Sequence, residues 1–263
     1  MGNLLSLKNL SVEFRKNKQR ICAVKEANLE IKENEIVGLV GESGSGKTIS
    51  TLAITRILPR NAQIVSGEAI FEGRDLLKME ESRLRDVRGG KIAYIFQEPA
   101  MYLNPLLTVG YQIAEAVVVH QNKDKVSAGE EAARLLSEVV MPNPSEVFFD
   151  YPHQLSGGMN QRVMIAQALA SNPRLLIADE PTTSLDADTE EEILGLILDL
   201  QKEIGFSSLF ITHNLGLIRK LCRRVYVMYK GRIVEEGDID GIFNNPRHEH
   251  TKALVNAYLR LGS

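Results

Sequence analysis

The sequence predicts an α/β fold built on a mostly parallel sheet, and three observations support this prediction. Apolar, β-branched runs typical of buried strands alternate with runs whose apolar residues follow helical spacing. One such strand, residues 36–40, leads directly into the glycine-rich segment GESGSGKT and then into a helical pattern that Pro59 ends. Residues 100–170 are mainly helical in pattern, which indicates a helical block inserted between two core strands.

The N-terminal third of the sequence begins with two long runs of strand-like residues. Its predicted elements are strands at residues 4–14, 21–31 and 66–73, a charged helix from Leu76 to about Val87, and a core strand at residues 91–96. The basic run RKNKQR, residues 15–20, separates the first two strands. We expect this run to be the solvated loop of a hairpin, because a short charged run between strands is usually exposed.

The C-terminal third returns to alternating strands and helices. The predicted strands lie at residues 174–179, 208–212, 225–229 and 232–236, and the predicted helices at residues 188–204, 214–222 and about 250–260. Gly231 turns the chain between the last two strands, which are therefore expected to form a hairpin. We expect one domain over residues 1–263, with a core at 1–97 and 172–235, a helical subdomain at 98–171 and a short extension at 236–263.

The composition is that of an ordinary globular protein and argues against several classes of function. The chain has 263 residues, of which 44% are hydrophobic and 25% are charged. A formal net charge of −3 argues against a general electrostatic affinity for nucleic acid. No apolar run reaches the ~18–20 residues that cross a bilayer, and the N-terminus lacks the pattern of a signal peptide.

Cysteine and histidine are too scattered to predict a disulfide framework or a metal site. Cys22 and Cys222 lie far apart, and we expect both to be small buried residues in a reducing compartment. His248 and His250 stand two positions apart, a spacing that can hold a metal, but no cysteine or carboxylate cluster accompanies them. We therefore expect these histidines to lie on the surface.

The segment GESGSGKT has the spacing of a phosphate-binding loop, G-x-x-x-x-G-K-[ST]. Its residues are Gly41, Glu42, Ser43, Gly44, Ser45, Gly46, Lys47 and Thr48. Glycines let the backbone curl so that its N–H groups face phosphates, and the following helix N-terminus adds partial positive charge. Lys47 is predicted to contact the β- and γ-phosphates and Thr48 to ligate Mg²⁺. The alternative is a glycine-rich turn without function, and the strand–loop–helix setting argues against it.

Four more polar residues follow predicted strands, at the edge where open α/β sheets bind their ligands. Asp179 ends a buried strand and is predicted to hold Mg²⁺, while Glu180 orients and polarises the attacking water. Gln97 is predicted to contact the metal, through its water shell, and the nucleophilic water, and His213 to contact the γ-phosphate. The alternatives are an acidic strand cap and a structural histidine.

A second glycine-rich segment, LSGGM at residues 155–159, precedes a helical stretch. Ser156 is predicted to cap that helix, and Gly157 and Gly158 expose backbone N–H groups that form a second anion site. A single chain has no obvious need for two phosphate sites, whereas two chains that face each other would use both.

Six motifs, in this order along the chain, resemble those of the ATP-binding cassette ATPases. GESGSGKT resembles the Walker A loop, IFQEP the Q-loop, LSGGMNQR the family signature, LLIADEP the Walker B strand, Ser184-Leu185-Asp186 the D-loop and ITHN the switch-histidine motif. The resemblance covers almost the entire chain. It implies a P-loop NTPase with a RecA-like, mostly parallel core sheet, an antiparallel β subdomain and an inserted α-helical subdomain.

The same resemblance implies how ATP and Mg²⁺ are held. Two cassettes pair head to tail around two ATP molecules, so that Ser156, Gly157 and Gly158 of one cassette face the phosphate loop of the other. Phe14 is the candidate for the aromatic residue that stacks on adenine in this family. A buried strand aromatic is the alternative interpretation of Phe14.

Finer features resemble the di- and oligopeptide importer subfamily, which includes nickel importers. These features are EPAMYLNPLLTVG, LSGGMNQRVMIAQAL, ADEPTTSLD and NPRHEHTKAL. The subfamily implies a second, related ATPase as heterodimer partner, two transmembrane permease subunits and, indirectly, an extracytoplasmic substrate-binding protein. It implies no nucleic acid among the binding partners. It places the protein peripherally on the cytoplasmic face of the cell membrane. Residues 98–111 are the predicted contact to the permease, because they are apolar and proline-kinked beside Gln97. The alternative is that this segment packs within its own subdomain.

The implied function is ATP hydrolysis that powers import of di- or oligopeptides. A nickel importer is the alternative within the subfamily, and a soluble cassette for DNA repair or translation is the alternative outside transport. A third alternative, a cassette that does not hydrolyse ATP, is opposed by Glu180 and His213. The chain departs from the subfamily at Asn160, Asn214, Glu249 and His250. We expect no iron–sulfur cluster, because the sequence shows no cysteine-rich extension of the kind found in some members.

Overall fold

The computed structural model describes residues 2–16, 19–183 and 185–261 of the chain. The strands are β1 (Asn3–Lys16), β2 (Gln19–Lys32), β3 (Ile36–Val40), β4 (Ala62–Phe71), β5 (Arg74–Asp75), β6 (Ile92–Ile95), β7 (Leu175–Asp179), β8 (Ser207–Thr212), β9 (Arg224–Tyr229) and β10 (Arg232–Asp238). The helices are α1 (Lys47–Ile54), α2 (Glu81–Val87), α3 (Pro99–Tyr102), α4 (Val109–Gln121), α5 (Lys125–Glu138), α6 (Pro144–Val147), α7 (Gly157–Leu169), α8 (Ala187–Ile204), α9 (Leu215–Leu221), α10 (Ile239–Asn244) and α11 (Glu249–Leu261). A single 3₁₀ turn, Pro152–Gln154, precedes α7.

The chain divides into two compact units. The first unit contains residues 1–84 and 207–263, and the second contains residues 85–206. Each unit has its own buried apolar core and its own strands, and each is described separately below.

The first unit contains an antiparallel sheet with strand order β2-β1-β4-β5. β1 and β2 pair from Asn3–Lys32 at one end to Lys16–Gln19 at the other. Leu5, Leu10 and Ile31 are fully buried. β1 does not alternate strictly between buried and exposed residues, because residues 4–7 are all buried and the register shifts between Leu7 and Leu10.

The basic run at residues 15–20 was predicted to be a loop, and this prediction is wrong for the part of it that the structure describes. Arg15 pairs with Arg20 in the ladder between β1 and β2, and the strands continue to Lys16 and Gln19. Arg15 and Arg20 tolerate a strand because their side chains are exposed, and Arg20 pairs with Glu13 at 3.7 Å. Asn17 and Lys18 lie outside the described residues.

The core strands of the first unit follow the order β10-β9-β3-β8. β3 is parallel to β8 and to β9, whereas β9 and β10 form an antiparallel hairpin. Val40 at the end of β3 is level with Thr212 of β8 and with Val227 of β9. The polar residues that follow β3 and β8 therefore leave the same edge of these strands.

The second unit combines a parallel strand pair with a group of helices. β6 and β7 run parallel, with Ile95 level with Ala178. β7 is buried along its whole length, which explains why its sequence lacks the polar alternation of a half-exposed strand. α4, α5, α7 and α8 supply the remaining core of this unit.

Two further predicted boundaries differ from the structure. The helix expected from Leu76 begins only at Glu81, because the Asp75 carboxylate accepts hydrogen bonds from the N–H groups of Ala69 and Leu77 and holds the chain in a turn. The single helix expected in the tail is two helices, α10 and α11. Asp238 caps the N-terminus of α10, where its side chain accepts a hydrogen bond from the N–H of Asp240.

Candidate functional site

The phosphate loop of the first unit connects β3 to α1 with a backbone that requires glycine. Gly44 and Gly46 have φ angles of 77° and 108°, which residues other than glycine rarely adopt. A Cβ atom at Gly46 would lie 2.6 Å from the carbonyl oxygen of Ala23. The loop therefore passes close to β2 at a position where only glycine fits.

The loop is held from behind by the turn between β9 and β10. The N–H of Gly231 donates to the carbonyl of Ser45 at 2.8 Å, and the N–H of Lys25 donates to the carbonyl of Gly231 at 2.7 Å. A Cβ atom at Gly41 would collide with the carbonyl oxygen of Met228. These contacts fix the loop against neighbouring strands of the first unit, so the shape of the loop does not depend on the loop sequence alone.

Lys47 and the first turn of α1 give the loop its positive charge. Lys47 is 5% exposed, and its ammonium donates to the carbonyls of Gly41 at 2.8 Å and Glu42 at 2.9 Å. α1 has no side-chain cap at its N-terminus, so its first N–H groups are directed toward the loop without a capping acceptor. An anion with several oxygens, such as a triphosphate, fits both features.

Thr48 and His213 are the other predicted site residues of the first unit. The side chain of Thr48 is exposed, and its hydroxyl makes no hydrogen bond to any residue that the structure describes, so it fits a role as a metal ligand. His213 follows β8 directly and is exposed, at the edge from which the phosphate loop leaves β3. The structure thus brings His213 to the same edge as the loop.

Asn214, where the chain departs from the subfamily, has a clear local role. Its side chain accepts a hydrogen bond from the N–H of Gly216 at 2.9 Å and caps α9. Its own N–H donates to the hydroxyl of Thr212 at 3.0 Å. Asparagine is as good a cap as aspartate, so the change leaves the backbone around His213 in place.

Phe14 is half-buried in β1, where it pairs with Ile21 and Ala62. The adenine-stacking role of Phe14 stays a prediction, since a half-buried ring in a sheet suits both interpretations.

In the second unit, Asp179 and Glu180 end the buried strand β7. Asp179 is buried, and Glu180 is half-buried with a φ angle of 46°. The hydroxyl of Thr183 donates to the Glu180 carboxylate at 2.9 Å. A non-glycine residue in the left-handed region is strained by roughly 1–3 kcal/mol, and Glu180 is one of eleven such residues in the described part of the chain. The backbone therefore turns sharply at Glu180 and orients its carboxylate.

Gln97 leaves the same end of the strand pair, because β6 and β7 are parallel and in register. Its side chain is exposed, and its amide makes no hydrogen bond within the described ranges. Gln97, Asp179 and Glu180 are thus brought to one end of the second unit, as the sequence predicted for this part of the site.

Sequence reasoning missed Tyr102 as a neighbour of this acidic site. Its ring stacks on Phe96 with centroids 4.1 Å apart. Burial raises the pKa of the Tyr102 hydroxyl, and the negative charges of Asp179 and Glu98 raise it further. The two carboxylates place negative charge near Tyr102 at the end of β7, and such charge favours a divalent cation. The only signal in the sequence was the spacing of aromatic residues around Gln97.

The glycine-rich segment before α7 forms the predicted helix start. The hydroxyl of Ser156 accepts a hydrogen bond from the N–H of Met159 at 3.2 Å and caps α7. Asn160, a second departure from the subfamily, is buried, and its amide donates to the carbonyls of Pro152 at 3.0 Å and Leu155 at 3.3 Å. Asn160 therefore holds the chain that leads into Ser156.

A cavity of about 540 Å³ lies beside this helix start within the second unit. Ser156, Gly157 and Gly158 line it together with Asp186 and Thr189. Asp186 caps α8 by accepting a hydrogen bond from the N–H of Thr189 at 3.0 Å. The cavity gives access to the N-terminus of α7, as a second anion site requires. Ser184, the first residue of the predicted D-loop, lies outside the described residues.

The histidines and cysteines form no metal site in the part of the chain that the structure describes, where no group of three His, Cys, Asp or Glu side chains is placed to hold a metal ion. The prediction of surface histidines is wrong for His250, which is buried. Cys222 is buried, as predicted, and burial raises the pKa of its thiol, whereas Cys22 is only half-buried. Among the described residues, no helix combines the length and the apolarity that crossing a membrane requires.

The sequence matches a family model and is similar to known proteins of the same kind. Residues 24–183 match the family model described as ABC transporter. A probable peptide ABC transporter ATP-binding protein of Sinorhizobium fredii is 46% identical over 97% of this chain and 76% of its own length. The glutathione import ATP-binding protein GsiA of Shigella dysenteriae is 44% identical over the whole chain, which spans 43% of that relative.

The fold is also similar to those of solved structures. The dimeric, post-hydrolysis structure of the ATP-binding cassette MJ0796 bound to ADP and Pi is 30% identical, with a TM-score of 0.80 over 89% of this chain and 98% of that one. The structure of cbiO1 from Clostridium perfringens, part of the ABC transporter complex cbiONQ, is 25% identical, with a TM-score of 0.79 over 100% of this chain and 98% of that one. The chain is therefore an ATP-binding cassette and belongs to the ABC transporter family.

Proposed function

We propose that this cassette hydrolyses ATP to power the import of di- or oligopeptides through a membrane transporter. The observation that carries the proposal is the 46% identity, over 97% of the chain, to a probable peptide transporter subunit. The phosphate loop, the acidic end of β7 and the helix start at Ser156 are all intact, which supports hydrolysis rather than nucleotide binding alone. The glutathione importer relative points to the same substrate class, because glutathione is a tripeptide.

The proposed division of labour assigns each side chain one step. Lys47 and the first N–H groups of α1 bind the β- and γ-phosphates, and His213 contacts the γ-phosphate. Glu180 accepts a proton from the attacking water, which Gln97 helps to orient. Thr48, Gln97 and Asp179 are the proposed residues that hold Mg²⁺. When bound, Mg²⁺ neutralises charge that develops on the transferred phosphoryl group.

The proposed active unit is a pair of cassettes. The cassette MJ0796 is dimeric in its post-hydrolysis structure, and the accessible helix start at Ser156 supports a similar pairing here. In this pair, Ser156, Gly157 and Gly158 contact the ATP held by the other cassette. The partner in the native transporter is proposed to be a second, related ATPase.

Ser156→Arg is expected to reduce hydrolysis at the partner's site by at least about tenfold, because a bulky side chain blocks the N–H groups that face the partner's phosphates. ATP binding at the variant's own phosphate loop is expected to stay within about twofold of wild type. ATPase assays on mixed pairs, in which only one subunit carries the change, measure both effects. Ser156→Thr keeps the cap of α7 and serves as the matched control. Equal loss at both sites would contradict the pairing.

An exposed apolar surface in the second unit supports the proposed contact with the permease. Met101, Tyr102, Leu106 and Tyr111 are all large and exposed, and they lie within the segment 98–111 that was predicted to contact it. Leu106 is 82% exposed. Clustered exposed apolar residues indicate a binding surface, which argues against the alternative that this segment only packs within its own subdomain.

Leu106→Glu is expected to abolish recovery of the cassette with its membrane partners while leaving its own ATP affinity unchanged. Burying Leu106 at an interface is worth roughly 1.5–3 kcal/mol, and a buried unpaired carboxylate adds a further penalty. Pull-down from detergent-solubilised membranes measures the association. Val126→Glu is the matched control, because Val126 is 74% exposed on α5, outside the segment 98–111. Normal recovery of the Leu106 variant would refute the docking assignment.

The transported substrate and the cellular location are properties that we propose for the whole transporter. We place the cassette peripherally on the cytoplasmic face of the membrane, beside two permease subunits that receive cargo from an extracytoplasmic binding protein. Purifying the intact transporter and measuring ATPase stimulation by dipeptides, longer peptides, glutathione and nickel tests the substrate class. Stimulation by peptides supports the proposal, whereas stimulation by nickel alone overturns it.

A further inference from the structure

The C-terminal helix α11 brings a buried histidine to the phosphate loop within the first unit. His250 has a side chain that is 8% exposed, and its ring stacks on Tyr229 with centroids 3.9 Å apart and planes 23° apart. The Nδ1 atom of His250 lies 3.9 Å from the carboxylate of Glu42. Glu42 is the second residue of the phosphate loop, so α11 reaches the loop through this one side chain.

The backbone of Glu42 takes part in holding the phosphate loop together. Its carbonyl accepts a hydrogen bond from the Lys47 ammonium at 2.9 Å, and it also accepts one from the N–H of Ser45 at 3.1 Å. A force on the Glu42 side chain therefore acts on the same residue that helps to hold the phosphate-binding lysine. The Glu42 side chain is 63% exposed, whereas the His250 side chain that it approaches is buried.

In this structure His250 lies beside Glu42 without forming a hydrogen bond to it. A separation of 3.9 Å exceeds hydrogen-bond distance, and the Nε2 atom of His250 is buried without a hydrogen-bond partner among the described residues. The backbone N–H of His250 donates to Nδ1 of His248 at 3.1 Å, which fixes where α11 begins. The imidazole is thus held in place beside a carboxylate with which it can pair once it carries a proton.

We propose that His250 is a positioning residue for the nucleotide site, whose protonated ring pairs with Glu42 and fixes the phosphate loop in the form that binds ATP. The inference rests on the nucleotide role of this loop and extends it to the C-terminal helix. Residues 249–261 then act on the nucleotide site through His250.

The charged groups around His250 set the pH at which the pair forms. Burial lowers the pKa of His250 from its ordinary value of 6.5, and the charges of His248 and Lys230 also lower it. The carboxylate of Glu42 raises it but does not offset the burial. Tyr229, the remaining ionisable neighbour, contributes its ring as a stacking surface. His250 is therefore neutral at pH 8, and the pair forms as the pH falls below the ordinary histidine range.

His250→Phe separates the two roles of the side chain, because phenylalanine keeps the stacking on Tyr229 but cannot be protonated. The Kd for ATP is measured by equilibrium dialysis without Mg²⁺, which prevents hydrolysis, at a series of pH values from about 5 to 8. The ratio of the variant Kd to the wild-type Kd is expected to be near one at pH 8 and about two- to fivefold at pH 5. Taking the ratio at each pH cancels the titration of ATP itself.

Two further variants complete the test. Glu42→Gln is expected to give the same pH-dependent ratio, and the double variant is expected to add nothing to it. Lys252→Gln changes an exposed charge on α11 and is expected to follow wild type at every pH. If the Phe variant does not fold, the Glu42→Gln profile alone decides the question.

A ratio that does not change with pH, or single effects that add fully in the double variant, would overturn the role of His250. Neither result touches the proposed transport function. Failure of the wild-type protein to bind ATP at any pH would instead overturn the nucleotide role on which that function depends.

Discussion

Replacing Lys47 with alanine is expected to weaken ATP binding on the order of a hundredfold or more. Lys47 is 5% exposed and its ammonium is held by two loop carbonyls, so it is placed to meet a phosphate without the cost of ordering a mobile side chain. Truncating one partner of a buried charged pair costs about 2–5 kcal/mol, and each 1.4 kcal/mol is about tenfold in affinity. Equilibrium dialysis with ATP measures the loss directly.

Lys78→Ala is the matched control for the lysine charge. Lys78 belongs to the same unit but is exposed, and it pairs with Glu68 and Asp75. Its loss is expected to leave the Kd for ATP unchanged, because surface ion pairs are weak and this one is outside the phosphate loop. A Lys47 variant that bound ATP as tightly as the Lys78 variant would show that the loop does not bind phosphate.

The parts of the fold that local sequence determines were predicted well. The strand β3, the loop after it and the start of α1 follow from β-branched residues, glycines and helical spacing within one short segment. The fully buried strands β7 and β8 were equally clear, because their apolar runs have no polar alternation. The α/β class and the family were therefore accessible from the sequence.

The features that were missed depend on neighbours distant in the chain. His250 is buried against Tyr229 and close to Glu42 of the phosphate loop, and no local pattern around residue 250 indicates these contacts. The negative potential at Tyr102 likewise requires the fold to bring residue 179 close to it.

The candidate site was predictable as separate groups of residues. In the first unit, the phosphate loop and His213 share an edge because β3 and β8 are parallel and in register. In the second unit, Gln97 and the two acids at the end of β7 share an end for the same reason. The sequence indicated which residue types follow these strands, but the unusual backbone angle at Glu180 was visible only in the structure.

That backbone angle leads to a second large expected effect, at Glu180. Glu180→Gln is expected to lower the ATPase kcat by roughly a hundred- to ten-thousandfold, the range that a positioned general base contributes. The Kd for ATP is expected to stay within a few-fold of wild type, since Glu180 has no proposed contact with the phosphates. Glutamine keeps an oxygen that can accept the Thr183 hydrogen bond, so the change removes the base and preserves its position.

Single-turnover ATPase assays and size-exclusion chromatography with and without ATP separate the chemical step from pairing. Because ATP binds but is not consumed, the Glu180 variant is expected to accumulate as a cassette pair when ATP is present. Glu146→Gln, an exposed glutamate on α6 of the same unit, is the matched control and is expected to turn over ATP at the wild-type rate. A Glu180 variant with that same rate would show that the proton is accepted elsewhere, and the strained backbone at residue 180 would then need another explanation.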